Sequence, residues 1–199
     1  MLLDLEECQL VLVDYQSRLM PNIHESEAVL RNAMRLARIA QALQVPTWGT
    51  EENAAGLGEN PQELRALCRK TLAKMHFSAC ADGLVELLRP TARQAQGSNA
   101  RSLPKHLQKP PAPQRNSIVM AGCETHVCLL QTSLDLLDNE FDVWVVTDAC
   151  GSRTERSRDA AFDRLAAAGA ELVTTEMVAF EWLRTAEHPM FKEVLGLIK

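Results

Sequence analysis

Residues 117–128 read SIVMAGCETHVC: an apolar β-branched run, a break at Gly122, and the opening of an amphipathic segment. A short apolar run of this kind, ended by a turn signal, is the mark of a strand buried on both faces of a parallel sheet. The segment that follows carries Val127, Leu130, Leu134 and Leu137 at helical spacing, which predicts a helix over 125–138. Strand, turn and helix in immediate succession are half of a βαβ unit.

The same alternation extends to both sides. QLVLV at 9–13 is a second buried strand, closed by Asp14. A helix is predicted over 24–44, with Leu30, Met34, Ala37 and Ala40 as its buried stripe, Arg31, Arg35 and Arg38 facing solvent, and Asn22 with Glu25 as a capping pair. VPTW at 45–48 reads as a short strand and EENAAGLGEN at 51–60 as a surface loop. A short helix with Pro at its first position spans 61–67, residues 72–77 are ambiguous with a strand favoured, and 82–88 is a helix capped by Asp82. Beyond the opening motif come a strand at 143–147 running into Asp148, a helix at 156–168 stopped by Gly169, a strand at 171–174 and two short helices. These elements predict an α/β fold: a three-layer α/β/α, Rossmann-like arrangement, with a mostly parallel sheet of five to six strands and helices on both faces. Residues 90–115, rich in Pro, Gln, Ser and Asn with five basic side chains, interrupt the pattern as a mobile excursion or functional flap. Neither side of it holds a complete alternating set, so residues 1–199 are read as one domain.

The chain has 199 residues, 46% hydrophobic and 24% charged, a globular composition. No stretch approaches the roughly 18 uninterrupted apolar residues of a membrane span. The start, MLLDLEECQL, lacks a basic segment and carries three acids, unlike a secretory signal. A net charge of −5 gives no support for nucleic acid or an anionic membrane surface as partner. Cysteines stand at 8, 68, 80, 123, 128 and 150. In an acidic chain of this length without a signal, reduced thiols and a cytoplasmic location are expected.

Ligand crevices of open parallel sheets lie beyond the carboxyl ends of the strands. Asp14, Glu51, Cys128 and the Asp148/Cys150 pair fall at such places. Cys128 is the sharpest candidate. With Thr125 as cap it sits in the first turn of a helix, where free backbone N–H groups favour a thiolate. His126, two residues away, does not share its face and is no candidate base. Cys8, Cys68 and Cys80 read as small packing residues. Cys150 and Arg156-Ser157 form a competing Cys-x5-Arg-Ser string between strand and helix, the layout of a phosphate-cradling thiol phosphatase loop. Asp148 and Glu155 count against it, since they would stand beside a dianion.

Three further segments join the opening motif. LVDYQ at 12–16, AKMHFS at 73–78 and AGCETHVC at 121–128, with Gln131-Thr132, VTDA at 146–149 and Gly151-Ser152-Arg153, resemble the isochorismatase-like cysteine hydrolase family over nearly the whole chain. The Glu-Thr-His-Val-Cys form and the C-terminal His188-Pro189-x-Phe191-Lys192 most resemble the subgroup of isochorismatase domain-containing proteins. The resemblance implies a catalytic triad of Asp14, Lys74 and Cys128, a cis peptide between Cys123 and Glu124, and an oxyanion hole from the backbone N–H groups of Glu124 and Cys128. It implies Asp14 as general base, Lys74 as a fixed charge lowering the thiol pKa, and a thioester formed on Cys128 from a small amide-like substrate. Glu51, His76 and Phe77 are the expected substrate-binding residues. The family's nicotinamidases carry an Asp-x-His-x-His metal set between the Asp and the Lys; here that interval holds His24 alone, so no metal and no cofactor are expected. Small-molecule substrates and homo-oligomers are typical of the family. The apolar C-terminal helix is either an interface or packing on its own domain. A non-catalytic assembly protein on the same fold is the remaining alternative.

Overall fold

The computed structural model describes residues 2–89 and 115–199. Its strands are β1 (Cys8–Val13), β2 (Thr47–Glu52), β3 (Lys70–Lys74), β4 (Ser117–Gly122), β5 (Asp142–Val146) and β6 (Glu171–Val173). All pair in parallel, in the order β3-β2-β1-β4-β5-β6. β1 is buried at every residue and β4 at all but Ser117, as the unbroken apolar runs require of central strands. The expected fold, six parallel strands between helical layers, is the one observed.

Helices follow the strands: α1 (Ser26–Ala42), α2 (Ala54–Leu57), α3 (Gln62–Leu67), α4 (Leu84–Leu88), α5 (Leu130–Asp138), α6 (Glu155–Ala167), α7 (Thr175–Leu183) and α8 (Phe191–Ile198). α1 packs against α7 and α8, and α5 against α6. Val194 of α8 is fully buried, so this helix packs on its own domain. Among the described residues no helix is long and apolar enough to cross a membrane. The excursion expected at 90–115 falls, Arg115 apart, outside the described residues.

Several local expectations need correction. Asn22 and Glu25 do not cap α1: Glu25 takes a left-handed conformation at φ 53° with no side-chain cap bond, and the Asn22 amide turns to the carbonyl of Arg18 at 3.4 Å. The buried stripe of α1 is Val29, Ala33, Leu36, Ala37, Ile39 and Ala40, with Leu30 and Met34 only half-buried. Packing on both sheet and neighbouring helices selects the small and branched residues for the inner face. β2 runs on to Glu52, past the expected end at 48. Its last residues are polar because they face a buried polar site, which resembles a loop in composition. The expected surface loop contains α2, capped by the Asn53 side chain accepting from Gly56 N–H at 3.3 Å.

The order of strands reverses between β1 and β4. From β1 the chain moves outward through β2 to β3; from β4 it moves the other way through β5 to β6. Crossover connections therefore leave in opposite directions at the ends of these two strands, opening a crevice there. Asp14 and the Gly122–Cys128 turn stand at that point.

Candidate active site

The end of β1 and the end of β4 are locked together by backbone. Cys123 N–H donates to the carbonyl of Val13 at 2.9 Å, Gly151 N–H to Gly122 at 3.2 Å and Thr125 N–H to Gly151 at 2.8 Å. The Cys123–Glu124 peptide is cis, as the family resemblance implied. After Glu124 the chain enters a wide turn, Thr125–Leu129, in which Leu130 N–H reaches back to the carbonyl of Thr125 before α5 begins. The expected regular first turn capped by Thr125 is thus replaced by a wider one, and Glu124 occupies the cap position without a side-chain cap bond. Its carboxylate instead accepts from Arg153 Nε at 2.7 Å and from the same guanidinium at 3.3 Å.

Cys128 is buried in this turn, 6% exposed. Its sulfur lies within 4.8 Å of a carboxylate oxygen of Asp14 and of Glu52. Asp14 follows β1 at φ 53°, a left-handed position that Asp tolerates better than most residues. Its Oδ1 accepts from the Thr50 hydroxyl at 2.7 Å. Its Oδ2 stands 2.8 Å from Lys74 Nζ yet, among the described residues, has no donor aligned for a hydrogen bond. Lys74, the last residue of β3, aims its ammonium protons elsewhere: at Glu52 Oε2 at 2.7 Å and at the carbonyls of Phe77 and His76 at 3.2 and 3.3 Å. Both side chains, Asp14 and Lys74, are wholly removed from solvent.

Electrostatics set the resting protonation. Burial works against the Lys74 charge, but the Asp14 carboxylate beside it and the bond to Glu52 outweigh it and hold its pKa above the usual value. The Cys128 thiol is pushed up to about 12, first by burial and then by the Asp14 carboxylate, with Lys74 opposing. Lys74 does lower the thiol pKa, as expected, but burial and the carboxylates of Asp14 and Glu52 outweigh it, so the net shift is upward. At neutral pH the cluster holds a thiol, with a buried acceptor nearby.

The other expected site residues divide. Glu51 is buried, but its carboxylate accepts from Asn60 N–H at 2.8 Å and faces Arg65 at 3.5 Å, away from the cluster. Strand alternation explains this, since Thr50 and Glu52 share one face of β2 and Glu51 the other. His76 and Phe77 have exposed side chains, His76 lying 3.2 Å from Asp82, and only their carbonyls touch the cluster. Sequence reading passed over Glu52 and Thr50; extending β2 by four residues and applying period-two alternation finds both. Gln16 completes the frame, its amide bridging the Glu52 carbonyl at 2.8 Å and Glu52 N–H at 2.9 Å.

The Cys150 string does not build an anion cradle. Cys150 is 2% exposed, with its thiol raised to about 12 by burial, while Arg156 stands in solvent on α6. All six cysteines are free thiols. The trio of Asp14, Glu52 and Cys128 has the donor types of a metal site, but the Lys74 ammonium ion already stands among those carboxylates.

The isochorismatase domain model matches residues 8–177. The chain belongs to the isochorismatase family. Isochorismatase domain-containing protein 2 of Pongo abelii is 36% identical over 190 residues, covering 96% of this chain and 82% of that protein. Two solved structures share the fold at a TM-score of 0.83. The MAR1 ribonuclease of Caenorhabditis elegans is 28% identical, with 100% of this chain and 92% of that one covered. YcaC of Escherichia coli, described as an octameric hydrolase of unknown specificity, is 26% identical, with 99% and 89% covered. Family membership and fold thus agree with the expectations from the motifs.

Proposed function

We propose that this isochorismatase-family chain is a metal-independent cysteine hydrolase that cleaves a small amide-like C–N bond. The observation that carries the reading is the buried convergence of a thiol, a carboxylate oxygen without a donor and a lysine ammonium ion at the sheet's switch point. In the proposed reaction Cys128 Sγ attacks the substrate carbonyl carbon while Asp14 Oδ2 takes the thiol proton. The C–S bond forms, and the carbonyl π pair moves to oxygen, where the N–H groups of Glu124 and Cys128 receive it. Collapse of this intermediate breaks the C–N bond, and Asp14 returns its proton to the leaving nitrogen. Water then attacks the thioester, Asp14 takes a proton from it, the C–S bond breaks, and the sulfur is reprotonated. Lys74 stays charged throughout and offsets the negative charge that passes between Asp14 and the oxyanion.

A resting thiol suits this sequence. Proton transfer and attack are coupled, so the nucleophile is exposed as a thiolate only when a carbonyl is in place. Six free thiols fit work in a reducing cytoplasm, and the octameric YcaC relative supports a homo-oligomer. A small-molecule substrate rather than nucleic acid is favoured by the net charge of −5, the ribonuclease label of one relative notwithstanding.

The test is ammonia release over a panel of small amides, with mass spectrometry of acid-quenched protein to detect an acyl adduct on Cys128. A thioester on that residue is expected with any turned-over substrate. Full turnover by Cys128→Ala would refute the mechanism.

A further inference from the structure

We propose that Glu52 is a positioning residue of this site: it draws an ammonium proton of Lys74 away from Asp14, leaving Asp14 Oδ2 to accept the cysteine proton, and it sets a second carboxylate within 4.8 Å of the Cys128 sulfur. The inference rests on the cysteine-hydrolase reading above.

The ammonium group of Lys74 has three protons, and three acceptors surround it: Glu52 Oε2 at 2.7 Å, Phe77 O at 3.2 Å and His76 O at 3.3 Å. That inventory accounts for Asp14 Oδ2, which lies 2.8 Å from Nζ and still has no aligned donor among the described residues. Lysine and aspartate attract each other without the lysine occupying the lone pair the reaction needs. Glu52 is the shortest of the three contacts and the only charged one, so it dominates the orientation.

Its own placement is fixed. The Glu52 backbone is clamped on both sides by the buried amide of Gln16, two residues after Asp14, and its side chain is nearly as buried as those of its partners. The groups facing the Cys128 sulfur are Asp14 at the end of β1, Glu52 on β2 and Lys74 on β3; Glu124, on the cysteine's own turn, is turned to Arg153. Counting Asp14 and Glu52 as carboxylates, the three carry a net charge of −1 before the thiol ionises. A thiolate would double it in a dry pocket, which disfavours ionisation until Asp14 is neutralised by the proton it receives.

The experiment compares the full-length protein with Glu52→Gln and Glu52→Ala. Alkylation of each cysteine by iodoacetamide is followed from pH 6 to 11 by peptide mass spectrometry, with the other five thiols as internal references. Removing the charge should raise the Cys128 alkylation rate at pH 8 by about threefold or more in both variants, with the half-buried Cys68 and Cys80 unchanged. On a substrate found by the amide panel, Glu52→Gln, which still offers Lys74 an oxygen but no charge, should lose less in kcat than Glu52→Ala. Glu52→Ala should lose about tenfold or more in kcat with KM unchanged, because Lys74 then turns a proton onto Asp14 Oδ2. Superimposable alkylation profiles for Cys128 in wild type and Glu52→Gln would overturn the proposal. Because that readout needs no substrate, it fails independently of the hydrolase reading; if Glu52→Ala does not fold, the near-isosteric Gln variant decides.

Discussion

The Thr50 hydroxyl donates to Oδ1 of Asp14 at 2.7 Å, so the strand beside β1 orients the carboxylate from below while Lys74 faces its other oxygen. Thr50→Val keeps shape and volume and removes this donor. Loss of a buried bond to a charged acceptor should destabilise the protein by about 1–3 kcal/mol. Turnover should fall by about tenfold as Asp14 gains freedom to rotate. Urea midpoints and kcat on the same preparation check both, and an unchanged kcat would mean that the orientation of Asp14 does not depend on Thr50.

Asp14 also carries a conformational demand. At φ 53° its backbone occupies a region open to Asn and Asp but costly, by about 1–2 kcal/mol, for most other residues. Asp14→Asn should therefore fold nearly as well as wild type and lose turnover by about 10³-fold, for want of a base. Asp14→Ala should be equally inactive and measurably less stable. Equal thermal midpoints for the two variants would contradict the strain assignment.

Gly122 is needed for close approach. A Cβ there would meet the carbonyl oxygen of Val13 and lie 2.5 Å from its Cβ and 2.9 Å from its Cα. These atoms belong largely to backbone of a central strand and cannot move aside. Gly122→Ala should cost about 1–3 kcal/mol and displace the Cys128 turn from Asp14. Loss of activity in a variant that still folds, seen by denaturation and an amide assay side by side, is the expected result.

Alkaline pH should destabilise the fold. Buried Cys150 and Cys128 titrate at about 12 in the folded protein against an ordinary 9.0. Between those limits the unfolded chain releases thiol protons that the native state retains, so rising pH favours unfolding. This contribution is intact below pH 9 and lost progressively towards 12, with a slope approaching ~1.4 kcal/mol per pH unit for each such thiol. Lys74, also raised, acts in the same direction above its own range. Urea midpoints at pH 7.5 and 10.5 should fall, and Cys150→Ala should flatten the trend.

The central architecture was legible because its signals are local. The unbroken runs at 9–13 and 117–121 could only be interior strands, and the Gly122–Cys128 turn placed the thiol at a strand's carboxyl end. The ends of β2 and β3 were less readable. Thr50, Glu51 and Glu52 look like loop residues in composition, since their polar side chains are satisfied by partners from distant segments rather than by solvent. Which of Glu51 and Glu52 faces the Asp14–Cys128 cluster is a matter of strand parity, decided by where β2 begins. The height of the Cys128 pKa was hidden for a related reason: helix position is local, whereas burial and the convergence of two carboxylates are tertiary.

Asp14, Lys74 and Cys128 come from three separate crossovers of an all-parallel sheet, and no two lie on one hairpin or helix. Each parallel pairing must close a long loop before it gains a contact, which makes such sheets slow and cooperative to assemble. No fragment or partly docked intermediate can hold all three groups together. Recovery of Cys128 chemistry after dilution from denaturant should therefore trail recovery of helical signal, making the reaction itself a clock for completion of the sheet.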